Sequence, residues 1–437
     1  MTEAVPEGVE LTQLDSGLRV ITESMPAVRS VALGLWVRTG SRDETPGQAG
    51  LSHFLEHLLF KGTPRRSAIE ISELLDGMGA QANAATGKES THLYARFLDE
   101  HSEAAFDLLA EMLAQPSLPT SEVDSEREVI LEEIAMYEDE PQDRVHDVLA
   151  EAIFGEHPLG RRVLGSSEVI ASVAVPEIRA YHDDRYVAGN VVVAAAGSLE
   201  HEHVVALARN YLQQLPSIGE ANDGPAKERR NGASVKEPRL RFQSKETEQY
   251  HVCFGGPGLS RADERRFALS VLDAAFGGST SSRLFREIRE KRGLAYAVGS
   301  YIDQFVDGGE VAMYVGTRAD NVGEACEIIG RELLRLRDDG LDPEELQRAK
   351  EHVKGRMVLG LESSAARMTR CARSLLYEIP LLSIDELLAR VDAVTADDVA
   401  ALAGEFYDPA RLSAACIGPE EARFRSAAES VSPAVVA

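Results

Sequence analysis

Two histidines four residues apart, with a glutamate beside the second, make His53-Phe-Leu-Glu56-His57 the segment of this chain best equipped for chemistry. On a helix of about 3.6 residues per turn, positions 53 and 57 stack on one face, so both imidazoles can grip a single metal ion. Glu56 falls between them in angle. Its carboxylate can therefore reach a water on that ion and take its proton as general base without serving as a ligand. The order, with the glutamate next to the second histidine, is the inverse of the common zincin motif. The surrounding run Ala49–Phe60 has no proline, one glycine near its start and apolar residues on the far face, which predicts a helix. Taken alone, the pentapeptide is equally a description of two ordinary, partly buried histidines.

Catalytic zinc usually takes three protein ligands and keeps one position for water, so a third ligand is required. The acidic, strongly helical stretch Glu126-Arg-Glu-Val-Ile-Leu-Glu-Glu133 supplies the candidates. Glu126 and Glu133 are seven residues apart and nearly superposed on one face. Glu133 is assigned the metal, and Glu126 the outer position from which a carboxylate orients a ligating histidine through its other ring nitrogen. Glu128, Glu132 and Glu138 are read as a solvated helix face. The set predicts one zinc ion per chain, with nitrogen-rich ligation favouring zinc over other divalent ions. His201-Glu-His203 is set aside, because i,i+2 spacing points the rings apart and leaves them a surface pair.

The elements that must position these residues come in two similar sets. Val31-Ala-Leu-Gly34 matches Val252-Cys-Phe-Gly255, and Tyr186 with Gly197 matches Tyr407 with Gly418, all at an offset of 221 residues. Two related domains are expected: 1–216, which carries the metal motif, and 239–425. A polar, breaker-rich linker over 217–238 would join them, and 426–437 would be a flexible tail. Each half opens with short alternating strands such as Arg19–Thr22 and Ser30–Val37 and then mixes helices with further strands. This suits an α+β fold, helices packed on a mainly antiparallel sheet. The same offset carries His53–His57 onto Ala274-Ala-Phe-Gly-Gly278, which offers no ligand, so only the first half keeps the metal.

The motif, the Glu126–Glu133 stretch at its distance, Gly40-Ser-Arg-Asp-Glu44, Phe60-Lys-Gly-Thr63 and Asn83-Ala-Ala-Thr86 together resemble the inverzincin peptidases of the pitrilysin, insulinase and mitochondrial processing peptidase group. The resemblance runs over nearly the whole chain, and its length of 437 residues is similar to that of processing peptidase subunits and their bacterial relatives. It implies a zinc endopeptidase, and the sheet-and-helix domains of that group pairing into a clamshell chamber. It also implies that Arg289 and Tyr296, in Ile288-Arg-Glu-Lys-Arg-Gly-Leu-Ala-Tyr296, reach the substrate at the zinc of another half, Arg289 on a peptide carbonyl and Tyr296 on the developing oxyanion. Read without the family, these are a surface charge run and a core aromatic. Since the clamshell needs four domains and this chain has two, a homodimer is expected, or a heterodimer with a metal-free homologue. The substrate would be an extended, unfolded peptide pairing with a strand around Gly79–Thr86, with Asn83 and Ala84 holding it. Ala85 and Leu93 depart from the group's usual aromatics, which leaves the metal site alone and bears on side-chain preference.

Composition narrows the alternatives. The 72 acidic and 46 basic side chains give a formal net charge of -26, which argues against a phosphate-neutralising nucleic-acid binder and suits a basic peptide and ordinary acidic solubility equally. The acidic start Met1-Thr-Glu-Ala-Val-Pro-Glu-Gly has no apolar signal region and no stretch reaches membrane-spanning length, which predicts a cytoplasmic protein. The four cysteines, all in the second half and none in a CxxC pair, read as reduced core thiols. Two competing functions remain: a non-catalytic core or scaffold subunit of the same group, and the catalytic partner in maturation of one dedicated peptide.

Overall fold

The computed structural model describes residues 5–217 and 237–436, so most of the linker expected over 217–238 lies outside the described residues. The strands are β1 (Val9–Gln13), β2 (Arg19–Ser24), β3 (Ser30–Val37), β4 (Gln81–Thr86), β5 (Thr91–Leu98), β6 (Val191–Gly197), β7 (Leu240–Ser244), β8 (Gln249–Gly258), β9 (Ala295–Gln304), β10 (Gly309–Arg318) and β11 (Ser413–Gly418). The helices are α1 (Leu51–Leu58), α2 (Ala68–Gly77), α3 (Ser102–Ala114), α4 (Thr120–Asp139), α5 (Pro141–Phe154), α6 (Ser167–Ser172), α7 (Val175–Arg185), α8 (His201–Tyr211), α9 (Arg266–Phe276), α10 (Val322–Asp339), α11 (Pro343–Gly360), α12 (Ser364–Tyr377), α13 (Ile384–Asp392), α14 (Ala396–Phe406) and α15 (Glu421–Glu429). The fold is α+β, built as two compact units, each around one sheet.

In the first unit the sheet runs β1-β2-β6-β3-β5-β4, antiparallel throughout except for the parallel pair β2/β6. Strand alternation sorts β3 by face. Val31, Leu33, Leu35 and Val37 join the buried cluster that contains Phe54 and Leu55 of α1 and Phe106 and Leu109 of α3. Trp36 points to the other face, where α12 lies and Met368 Sδ takes the indole N–H at 3.4 Å. Gly34 is needed beneath that contact, because a Cβ there would come within 2.7 Å of the same sulfur.

The second unit repeats the plan. Its sheet runs β7-β11-β8-β10-β9, again with only the outer pair β7/β11 parallel. Helix α5 covers one face, packing Val145, Leu149 and Ile153 against Cys253, Ala312 and Ala415. All four cysteines are buried and free. The strand orders β2-β6-β3-β5-β4 and β7-β11-β8-β10-β9 correspond element by element. Tyr186 and Tyr407, both fully buried, close α7 and α14, and Gly197 and Gly418 close β6 and β11.

Two features differ from the sequence reading. The first unit takes the described residues of 1–135, 161–228 and 359–383, and the second takes those of 136–160, 229–358 and 384–437. The first sheet is thus backed by α12 from late in the chain and the second by α5 from early in it. A cut at one linker cannot express such an exchange, because both helices follow long polar helices and carry no local sign of which sheet they cover. The end of the chain also differs from a flexible tail. Residues 426–429 finish α15, and Ala427, Ala428 and Val431 are buried, so apolar contact orders a stretch whose composition alone reads as fraying.

Candidate metal centre

Helix α1 is short and is positioned by its start. Gly50 precedes it with φ +98°, a left-handed conformation, and a Cβ there would meet the Leu164 carbonyl at 2.7 Å. The carboxylate of Glu44 reaches forward to accept the N–H groups of Gly50 at 2.8 Å and Ser52 at 2.7 Å, which satisfies donors that a helix start leaves open. Burial nevertheless pushes the Glu44 carboxyl up to about 7, against the pull of these two hydrogen bonds. Phe54, Leu55 and Leu58 bury one side of the helix, and the motif residues occupy the other.

His53 and His57 of α1 and Glu133 of α4 converge, with their ligand atoms all within 4.8 Å of one another. The two Nε2 atoms are 3.2 Å apart, and Glu133 Oε2 lies 3.7 Å from that of His53 and 3.5 Å from that of His57. A tetrahedral zinc with bonds of about 2.0–2.1 Å separates its ligand atoms by roughly 3.3 Å, so this triangle fits one such ion. Burial first, and His57 second, push His53 down to about 4, which keeps it the neutral imidazole that a metal requires.

The supports of these residues are equally specific. Glu126 is buried and accepts from His57 Nδ1 at 2.8 Å, which leaves the Nε2 lone pair for a metal. Its second oxygen takes Lys61 Nζ at 2.5 Å. Glu56 is half-buried and accepts from Thr86 Oγ1 at 2.6 Å, at the end of β4. Burial raises the Glu56 carboxyl and the Thr86 hydrogen bond opposes the rise. Sequence reasoning assigned no role to Thr86, Lys61 or Glu44. Only the flanking segments that hold them carried a signal, since Gly40–Glu44, Phe60–Thr63 and Asn83–Thr86 stood out beside the motif. Glu128 and Glu132 are exposed, in keeping with a solvated face.

The other expected site residues are placed as follows. Strand β4 pairs only with β5, so its second edge is open among the described residues. Asn83 and Ala84 lie on it, with Ala84 buried against the α1 side. Asn83 is exposed on the opposite parity from Thr86, and its Oδ1 accepts from the Ala84 N–H at 2.9 Å. Arg289 and Tyr296 belong to the second unit, at a π-helical turn over Phe285–Glu290 and the start of β9. The Arg289 guanidinium lies 4.3 Å from the Tyr296 ring centroid and 4.8 Å from that of Phe285, and it donates to the Tyr296 carbonyl at 2.8 Å. Tyr296 is 78% exposed, so it is not the core aromatic that a family-free reading expects. His201 is buried rather than superficial, held between the hydroxyls of Thr12 and Thr22 at 2.8 Å each.

The chain matches the family model described as insulinase, peptidase family M16, over residues 19–167, and that of the peptidase M16 inactive domain over 172–353. Curated relatives include an uncharacterized zinc protease of Streptomyces coelicolor, 43% identical over 94% of this chain and 90% of the relative. Others are from Mycobacterium leprae (41% identical; 94% and 92% covered) and Bacillus subtilis (39% identical; 90% and 94% covered). Among solved structures, a protease from Helicobacter pylori superposes with TM-score 0.87 at 22% identity, covering 95% of this chain and all of that one. A peptidase M16 inactive domain from Pseudomonas fluorescens gives 0.86 at 22% identity, covering 94% and 98%. At that identity the likeness speaks for the fold.

Proposed function

Because the chain belongs to the insulinase-type peptidases of family M16, we propose that it is a zinc-dependent endopeptidase that cuts extended, unfolded peptides or presequence-like segments inside a closed chamber. The observation that carries the proposal is the His53, His57 and Glu133 triangle with a separately anchored carboxylate, Glu56, beside it. In this reading His53, His57 and Glu133 hold one zinc ion per chain, and Glu126 fixes His57. Bound zinc supplies Lewis-acid polarisation of the scissile carbonyl and acidifies water. Glu56 takes the proton of the attacking water as the new C–O bond forms. It returns that proton to the amide nitrogen as the C–N bond breaks, so the base is regenerated.

The open edge of β4 offers the backbone partner for an extended peptide, and Thr86 at its end ties that strand to Glu56. Asn83 and Ala84 would hold the peptide through their main chain, since the Asn83 side chain points to the other face. Arg289 is assigned a substrate carbonyl and Tyr296 the oxyanion. The exposure of Tyr296 supports this, as an exposed tyrosine is free to meet a substrate. A homodimer, or a heterodimer with a metal-free homologue, would bring such a pair to each metal site. The net charge of -26 favours basic peptides. Among the described residues no helix is long and apolar enough to cross a membrane, and a cytoplasmic place of action is part of the same proposal.

The test is cleavage of a quenched fluorescent basic peptide by wild type and Glu56→Gln, with zinc measured on both. The proposal expects equal zinc and a fall in kcat of about 10²–10⁴ in the variant. A wild type that holds no metal and cuts nothing across a varied peptide panel would replace the proposal with the scaffold reading.

A further inference from the structure

The first unit contains a cavity of about 370 Å³ that plays no part in the chemistry above. Its walls are Val31 and Leu33 of β3, Phe97 of β5, Phe106 of α3, and Val204 and Leu207 of α8. It sits at the far end of the sheet from the metal centre. Thr86, which touches Glu56, pairs with Thr91 at one end of β5, and Phe97 lies six residues further along that strand. At about 3.3 Å per residue the separation is roughly 20 Å.

The pocket opens to solvent, and water held against its apolar walls is favourably displaced by an apolar body that covers them. Its volume lies in the range of ~300–1,000 Å³ typical of small-molecule sites. Reckoning ~30 Å³ for each non-hydrogen atom, the share of a water molecule in the liquid, it would take an apolar body of roughly ten such atoms.

The mouth specifies the other end of the occupant. Three serine hydroxyls there have already spent their hydrogens. Ser24 Oγ donates to the Leu199 carbonyl at 3.4 Å, Ser102 Oγ to the Asp99 carbonyl at 2.7 Å, and Ser198 Oγ to Asp99 Oδ2 at 2.9 Å. What they present to a ligand is lone pairs, so the ligand must donate. Much of the charge at the same place is offset. Arg29 pairs with Asp99 through two contacts, 2.9 and 3.1 Å, and Glu200 stands at the start of α8, where the partial positive charge of the helix offsets it. With one carboxylate paired, one partly offset and the His203 imidazole beside them offering a donor and an acceptor, the pocket suits a group that both donates and accepts, as a hydroxyl does.

We propose that this cavity is a binding site for an uncharged amphiphile, an aliphatic or aromatic body ending in a hydroxyl. The probe is 1-octanol, compared with octanoate and octylammonium, on the full chain by saturation-transfer NMR and by the shift in Tm. Octanol is expected to bind and raise Tm, with the two charged analogues at least about tenfold weaker because each brings an unbalanced charge to the mouth. Val204→Phe, which fills the cavity, should weaken octanol at least tenfold and leave peptide cleavage unchanged. Ser102→Ala, a milder change at the mouth, should weaken octanol severalfold. No binding of octanol to the wild type, equal binding to both variants, or octanoate or octylammonium binding as tightly as octanol would overturn the assignment.

Discussion

Replacing Thr86 by valine removes the side-chain contact between the proposed base and the sheet and leaves the lesser backbone one. The Thr86 hydroxyl donates to Glu56 Oε2 at 2.6 Å, within the range of charge-assisted O–H···O⁻ bonds. A hydrogen bond to a charged group contributes about 1.5–3 kcal/mol, and ~1.4 kcal/mol is a factor of ten in rate, so Thr86→Val should lower kcat/KM by roughly 10- to 100-fold. Valine keeps the shape and suits a strand, and the Thr86 hydroxyl bonds to Glu56 and the Ser52 carbonyl, so fold and zinc content should be those of the wild type. Thr86→Ser, which restores a hydroxyl, should recover most of the loss. The pH profile adds a second readout. Burial raises the Glu56 carboxyl and Thr86 lowers it, so the valine variant has the higher pKa. Its acid limb in kcat/KM, where the base must be ionised, moves to higher pH. Activity within twofold of wild type, a serine variant as poor as the valine one, or loss of zinc in Thr86→Val would refute the reasoning.

Three further outcomes follow from the same supports. Glu126→Leu removes the acceptor on His57 Nδ1 and should weaken zinc binding about 10- to 100-fold in a chelator competition. Zinc affinity unchanged within threefold would show that His57 is oriented by packing alone. Glu44→Ala opens the start of α1 and should cost about 1–3 kcal/mol in urea unfolding, because two buried N–H groups lose their acceptor. Glu44 also predicts a pH slope. Its folded carboxyl sits at about 7 against an ordinary 4.5, so the folded state holds the proton more tightly and stability falls as pH rises from 4.5 to 7, by about 3 kcal/mol in all. Glu44→Gln should flatten that slope, and an unchanged slope would assign it to other groups.

Much of this was legible because it is local. The i,i+4 spacing of His53 and His57 and the i,i+7 spacing of Glu126 and Glu133 are properties of a single helix each, and the 221-residue repeat is visible as text. The structure places these four side chains together by bringing the histidine face of α1 to Glu126 and Glu133 of α4, which no spacing within one helix encodes. Thr86 was harder to see, since its role depends on where β4 ends against α1. So was the parity of Asn83, which follows from the register Asn83↔Tyr94 and not from its neighbours in sequence. The exchange of α5 and α12 between the sheets is the least local feature of all, and it is the one a linear division of the chain missed.

The repeat also shows what stands in the second unit at the positions of the first unit's metal-type residues. Helices α4 and α11, and likewise α5 and α12, begin 223 residues apart, at Thr120 and Pro343 and at Pro141 and Ser364. The counterpart of Glu133 is therefore Arg356, a cation where the first unit has a carboxylate. In the second unit α9 ends at Phe276, so Gly278, the counterpart of His57, lies beyond the helix that would have to present it. A Cβ at Gly278 would come within 2.5 Å of Asp273 Oδ2, and one at Gly277 within 2.5 Å of the Ser300 backbone nitrogen. Asp273 itself is half-buried, its carboxyl pushed up to about 6 by desolvation, and tied to Ser300 Oγ at 2.5 Å with Arg356 as its opposing charge. A different polar core thus stands at these positions, and a side chain at 278 would have to displace the Asp273 carboxylate. Reinstating histidines at 274 and 278 would meet both that crowding and the charge of Arg356, so among the described residues the second unit offers no counterpart of the first unit's triangle.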